Sequence, residues 1–142
     1  MPSRPRLLSA IALALLCSAP VAAFQPHIPL DVRASGSATS FEVFESRGVG
    51  PTHFWCVAAD HARRVLGAAS NQRIYVARPL GASQIEPGRK AVGFTLSAAE
   101  VEAEKPKPSP LTLLTYTTIR SAGASMNLTQ ALQYCTDHMS VP

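Results

Sequence analysis

The 142-residue chain has no Gly-rich phosphate loop, no Gly-x-Ser-x-Gly elbow and no His-Glu-x-x-His helix. The local signatures of nucleotide binding, α/β-hydrolase catalysis and zinc proteolysis are therefore missing. There is no run of five like charges, no long basic helix and no set of aromatics interleaved with basic residues. A phosphate-backbone footprint needs such features, so nucleic acid is not an expected partner. After residue 16 no apolar stretch approaches the roughly 20 residues of a membrane-spanning helix. No internal repeat is present, and cysteine is scarce, at three residues: Cys17, Cys56 and Cys135.

What is present begins with an export pattern. Arg4 and Arg6 form a basic start, residues 7–16 an apolar run, and Val21-Ala22-Ala23 a small-residue exit, which together read as a cleavable signal peptide over residues 1–23. A lipoprotein attached through Cys17 is the rival, disfavoured by the bulky Leu16 before the cysteine. Cleavage after Ala23 leaves 119 residues, suited to one domain with one modest core. It also takes the basic count from 13 to 11 against 9 acidic side chains, a net charge of +2. No membrane span is expected after cleavage, and the expected location is periplasmic or secreted.

Residues 24–39, rich in Pro, Ser, Ala and Gly, read as an extended N-terminal arm, and residues 40–142 as a single α+β domain. Residues 40–46 alternate as a short strand, and Gly48-Val-Gly-Pro51 breaks it. Thr52 is the candidate cap of a helix in which Phe54, Ala58, Ala62, Val65 and Leu66 share one apolar sector, with Gly67 as its stop. Residues 73–78 and 90–96 read as an antiparallel strand pair, with Ile74, Val76, Val92 and Phe94 inward. The loop between them carries Pro79, Gly81 and Pro87-Gly88. Ser97-Ala-Ala-Glu100 has capping-box spacing, and residues 105–110 form a Pro-rich spacer. A further strand is expected over residues 111–119, and a second helix capped by Asn127 and ending at Cys135. The expected fold is a small antiparallel sheet of about four strands with two helices on one face, in the order β-α-β-β-β-α.

Cys56 and Cys135, 79 positions apart in an oxidising compartment, are the expected disulfide. Cys56 projects off the apolar sector of the first helix, toward a neighbouring element at the edge of the core. Two alternatives use the same residues. His53-x-x-Cys56 and Cys135-x-x-His138 mirror each other and could form a tetrahedral zinc site; a Cys/His nucleophile would take His61 or His138 as base. No residue is nominated as catalytic, and no cofactor is expected. Asp60 is spaced for surface ion pairs with Arg63 and Arg64. Asn127-Leu-Thr129 matches a glycosylation sequon as well as a helix cap. Arg73, Tyr75 and Arg89 fall on the outer face of the strand pair with Gly93 and Thr95, a basic strip that could bind an acidic protein or an envelope component.

The segments 54–67, 73–79 and 87–96, together with Gln133-Tyr-Cys135, resemble a group of small exported proteins of alphaproteobacteria. The resemblance covers roughly residues 41–135 and implies a periplasmic protein whose two cysteines pair. It implies no activity. The expected function is that of a disulfide-stabilised, non-enzymatic binding or interaction module. The alternatives are a small envelope hydrolase or thiol enzyme, or a zinc-binding domain.

Overall fold

The computed structural model describes residues 30–101 and 119–137. The proposed signal peptide, the Pro-rich spacer, all but the last residue of the strand expected over 111–119, and His138 lie outside the described residues. Among the described residues five strands form one antiparallel sheet: β1 (Val32–Ala34), β2 (Ser40–Phe44), β3 (Arg73–Ala82), β4 (Lys90–Thr95) and β5 (Ser125–Asn127). Two helices, α1 (Pro51–Arg64) and α2 (Leu128–Asp137), give with it an α+β fold. From β2 onward the order is the expected β-α-β-β-β-α; β1 is an additional strand in the arm, paired with β2 through Arg33 and Glu42.

Across the sheet the strands run β1-β2-β4-β3-β5. β4 therefore lies between β2 and β3, with Glu42 opposite Gly93 on one side and Arg78 opposite Gly93 on the other. β3 continues four residues beyond the expected stretch, through Pro79. Register shifts between Val76 and Arg78 and between Arg78 and Gly81 take Pro79 out of the ladder with β4, which is how a strand accommodates a residue without an N–H.

Alternation divides the sheet into two faces. Phe41, Val43, Ile74, Val76, Val92 and Phe94 join Phe54, Trp55, Ala58, Ala62, Leu128 and Ala131 in one core beneath both helices. Trp55 meets Phe94 edge-on with centroids 5.2 Å apart, and Phe41 lies 4.6 Å from the His61 ring.

The ends of α1 differ from expectation. Gly50, not Thr52, is the N-cap, because Pro51 takes the first helical position, where its missing N–H costs nothing. His53 Nδ1 accepts the Gly50 N–H at 3.1 Å. The helix ends at Arg64, so Val65 lies beyond it and is 66% exposed rather than buried. Gly67, at φ 67°, turns the chain as expected, and the Ala68 N–H reaches the Ala62 carbonyl at 2.9 Å. Asp60 pairs with Arg64 at 2.7 Å and Arg63 at 3.7 Å. Asn127 Oδ1 accepts the Gln130 N–H at 2.7 Å, capping α2 as its position suggests.

Cys56 and Cys135 form a disulfide, with Cα atoms 4.9 Å apart, joining the two helices. Cys56 is fully buried rather than at the edge of the core, because α2 packs over the side of α1 that the sheet leaves open. The oxidised pair offers no thiolate, so in this state neither a metal nor a nucleophilic role is open to these sulfurs.

Candidate functional site

The sheet face turned away from the helices is polar at its centre. Glu42 on β2 is enclosed, its side chain 1% exposed, and its Oε1 accepts a hydrogen bond from Arg78 Nη2 at 2.8 Å. The two residues sit on strands separated by β4, so the Arg78 side chain must pass over β4 to reach Glu42. It does so at Gly93, the residue that faces both. A Cβ placed on Gly93 would lie 3.2 Å from Arg78 Cβ and 3.3 Å from its Nε and Nη2. A side chain here would crowd Arg78, and glycine leaves the guanidinium room to cross β4 to Glu42.

Other groups complete the shell of Glu42. The Ser83 hydroxyl donates to Oε2 and the Gln84 N–H to Oε1 at 3.0 Å, while Arg78 also reaches Ser35 Oγ at 3.4 Å. Burial pushes the Glu42 carboxyl up, but the hydrogen bonds from Ser83, Gln84 and Arg78 and the Arg78 charge prevail and hold it below its ordinary value. Ser83 in turn accepts the N–H groups of Ile85 and Glu86, so the same carboxylate organises the β3–β4 turn.

A second carboxylate stands across the face. Glu100 ends a 3₁₀ turn, Ala98–Glu100, where capping-box spacing places it back on Ser97. Instead it turns to the β1–β2 connection. Its Oε2 accepts from Ser40 at 2.6 Å, Thr95 at 2.6 Å and Ser37 at 3.0 Å, and Thr39 bridges both oxygens at 3.1 and 3.2 Å. Four hydroxyl donors on one carboxylate favour its charged form and bring it down to about 2, with Ser40 the strongest contributor.

Between these two carboxylates lies a groove of about 300 Å³. It is lined by Gly93, Arg78, Gln84, Glu100, Ser35, Ser37 and Ser40; Phe41 and Phe94 border it with side chains that are buried in the core. A smaller hollow of about 190 Å³ opens beside α1, lined by Leu30, Val32, Val57, Asp60, His61 and Arg64. Burial there pushes the His61 imidazole below its ordinary pKa, opposed by the neighbouring Asp60 charge.

The residues singled out from sequence are spread over the molecule. Ile74, Val76, Val92 and Phe94 face the core, so Gly93 and Thr95 do lie on the outer face, but Thr95 is buried against Glu100. Arg73 and Arg89 stand at opposite ends of the β3–β4 ladder, which runs from the Tyr75–Thr95 pair to the Ala82–Lys90 pair. Arg73 donates to Ser125 Oγ at 3.0 Å. Arg89 pairs with Glu86 at 2.7 Å and Asp31 at 3.1 Å, and its guanidinium lies 4.1 Å from the centre of the buried Phe44 ring. Hydrogen bonding, to Glu86 first and then to Asp31, raises its pKa further. Tyr75, opposite Thr95, is half-buried between the two arginines along the strand.

The sequence reading passed over Glu42, Arg78 and Glu100. A faint signal for two of them exists: alternation puts Glu42 between the inward Phe41 and Val43, and a glycine within strand β4 marks a place where another group comes close. Comparison with protein-family models, with curated proteins and with solved structures finds no match. The class that fold and covalent structure define is a disulfide-bonded α+β protein whose sheet carries polar residues on the face away from the helices. Among the described residues no helix is long and apolar enough to cross a membrane, and no cluster of three or more His, Cys, Asp or Glu is placed to hold a metal ion.

Proposed function

We propose that the protein is an exported, disulfide-stapled binding module of the periplasm or extracellular space, and that its recognition site is the groove on the open face of the sheet. The observation that carries this reading is preorganisation. Arg78 is held by Glu42 and Ser35, and Glu100 by four hydroxyls, so the polar walls need little ordering when a ligand arrives. The Cys56–Cys135 bond supports placement in an oxidising compartment, in agreement with the signal-like start of the chain. The groove is favoured over the Arg73–Tyr75–Arg89 surface because those arginines are far apart, and Arg89 is engaged in covering Phe44.

The test is a series of ¹⁵N–¹H correlation spectra of the oxidised exported chain, titrated with envelope glycan fragments and with short peptides of either charge. Saturable shifts centred on the amides of Ser37, Gln84 and Gly93 are expected. Shifts centred on the His61 hollow, or turnover of an ester or amide substrate that is lost in His61→Ala, would overturn the reading.

A further inference from the structure

The lining of the groove carries its own charge preference. Arg78 is paired with Glu42 through a 2.8 Å contact, and among the described residues no cation is paired with Glu100. Among those residues two carboxylates stand against one guanidinium at this face, on a chain whose overall balance is basic. The two oxygens of Glu100 are also unequally used. Oε2 takes short bonds from Ser40 and Thr95 and a longer one from Ser37, whereas Oε1 holds only the 3.2 Å branch of the Thr39 bond. An ionised carboxylate offers about four lone-pair directions, so Oε1 keeps acceptor capacity for an incoming donor.

We infer that the groove receives an organic cation, an ammonium or guanidinium, with Glu100 Oε1 as its acceptor. This rests on the reading of the groove as the binding site and adds the chemical class of its ligand. The class is the opposite of the acidic partner that the basic residues of the sequence suggest. Two sources share this chemistry, the side chain of a basic peptide and a free polyamine. A space of about 300 Å³ holds either one side chain or one such small molecule.

The experiment titrates the oxidised chain with three probes, the blocked tripeptide Gly-Lys-Gly, spermidine, and blocked Gly-Glu-Gly, following the Ser37, Gln84 and Gly93 amides. The lysine peptide or spermidine is expected to shift them saturably, and the tighter of the two identifies the source. In Glu100→Gln, which keeps the size of the side chain, affinity should fall at least about tenfold. Arg73→Ala should leave it unchanged. Should Glu100→Gln disturb the 3₁₀ turn, salt provides an independent readout, because the parent's affinity should fall several-fold between about 0.05 and 0.5 M NaCl. Shifts at these amides with Gly-Glu-Gly alone would overturn the cation assignment and leave the groove standing as a binding site. No shift with these probes or with the wider ligand panel would overturn both.

Discussion

Replacing Glu42 tests the central claim about the open face, that a charge is held inside it by Arg78. The carboxylate is 1% exposed and its partner side chain 16%, so the pair is enclosed on the Glu42 side and reaches water only past the arginine. Breaking a buried pair by removing one partner costs about 3–5 kcal/mol, chiefly because the other charge stays behind. Arg78 retains some access to solvent, which places Glu42→Ala near the lower end, at about 3 kcal/mol. The loss also orphans the Ser83 hydroxyl and the Gln84 N–H, each worth about 1 kcal/mol unless water reaches it. Glu42→Gln keeps a neutral acceptor for one of these donors and should cost about 2 kcal/mol. Arg78→Met in the Glu42→Gln background should then cost less than in the parent, because the Glu42 charge that faces it has already been removed. Chemical denaturation followed by the fluorescence of the single, fully buried Trp55 measures all four corners of the cycle. If Glu42→Gln and Glu42→Ala both stay within about 0.5 kcal/mol of the parent at unchanged m-value, the buried-pair account is wrong.

Cys56→Ser and Cys135→Ser should each cost about 4.5 kcal/mol from the 79-residue loop they release, somewhat more because both sites are buried, and the double variant no more than the worse single one; a markedly additive double variant would contradict this. Gly93→Ala should destabilise by about 1–3 kcal/mol, since its Cβ would press on Arg78, and the part of that cost due to the guanidinium should vanish in an Arg78→Ser background, which keeps only the Cβ contact, as thermal melts of the pair would reveal. Glu100, brought down from 4.5 to about 2, contributes stability that is complete above its unfolded pKa and is lost as pH falls through the window from about 4.5 to about 2; a carboxyl ¹³C titration with a midpoint near 4.5 would count against the four-donor arrangement. His61 is likewise held below its ordinary 6.5, so the neutral form is favoured in the fold and its contribution is lost as pH drops below the unfolded value; His61→Gln should flatten that part of the stability profile.

Much of this molecule follows from short-range pattern. The α+β class, the extent of β4 and most of α1 follow from two periodicities, alternation and helical spacing, each of which a chain carries within ten or so residues. The inward set Ile74, Val76, Val92 and Phe94 comes from the same rule. The disulfide follows from counting, because one pair remains once Cys17 is assigned to the signal. Even the caps at Gly67 and Asn127 are local chemistry, set by backbone freedom in one case and an Asx side chain in the other.

Strand order is not local, and the open face depends on it. Because β4 inserts between β2 and β3, Glu42 and Arg78 come to oppose the same glycine although 36 positions separate them in the chain. The same pairing puts Arg73 and Arg89 at opposite ends of the ladder, so two residues that share a face in the alternation stand apart along it. β1 escapes notice in the sequence because three residues carry too little pattern to mark a strand; pairing with β2 makes them one. Glu100 has the spacing to serve its own 3₁₀ turn but finds hydroxyls some 60 positions away better placed. Periodicity states which side of an element faces inward, whereas the neighbour that a side chain meets on the other side is decided only when the strands are laid next to one another.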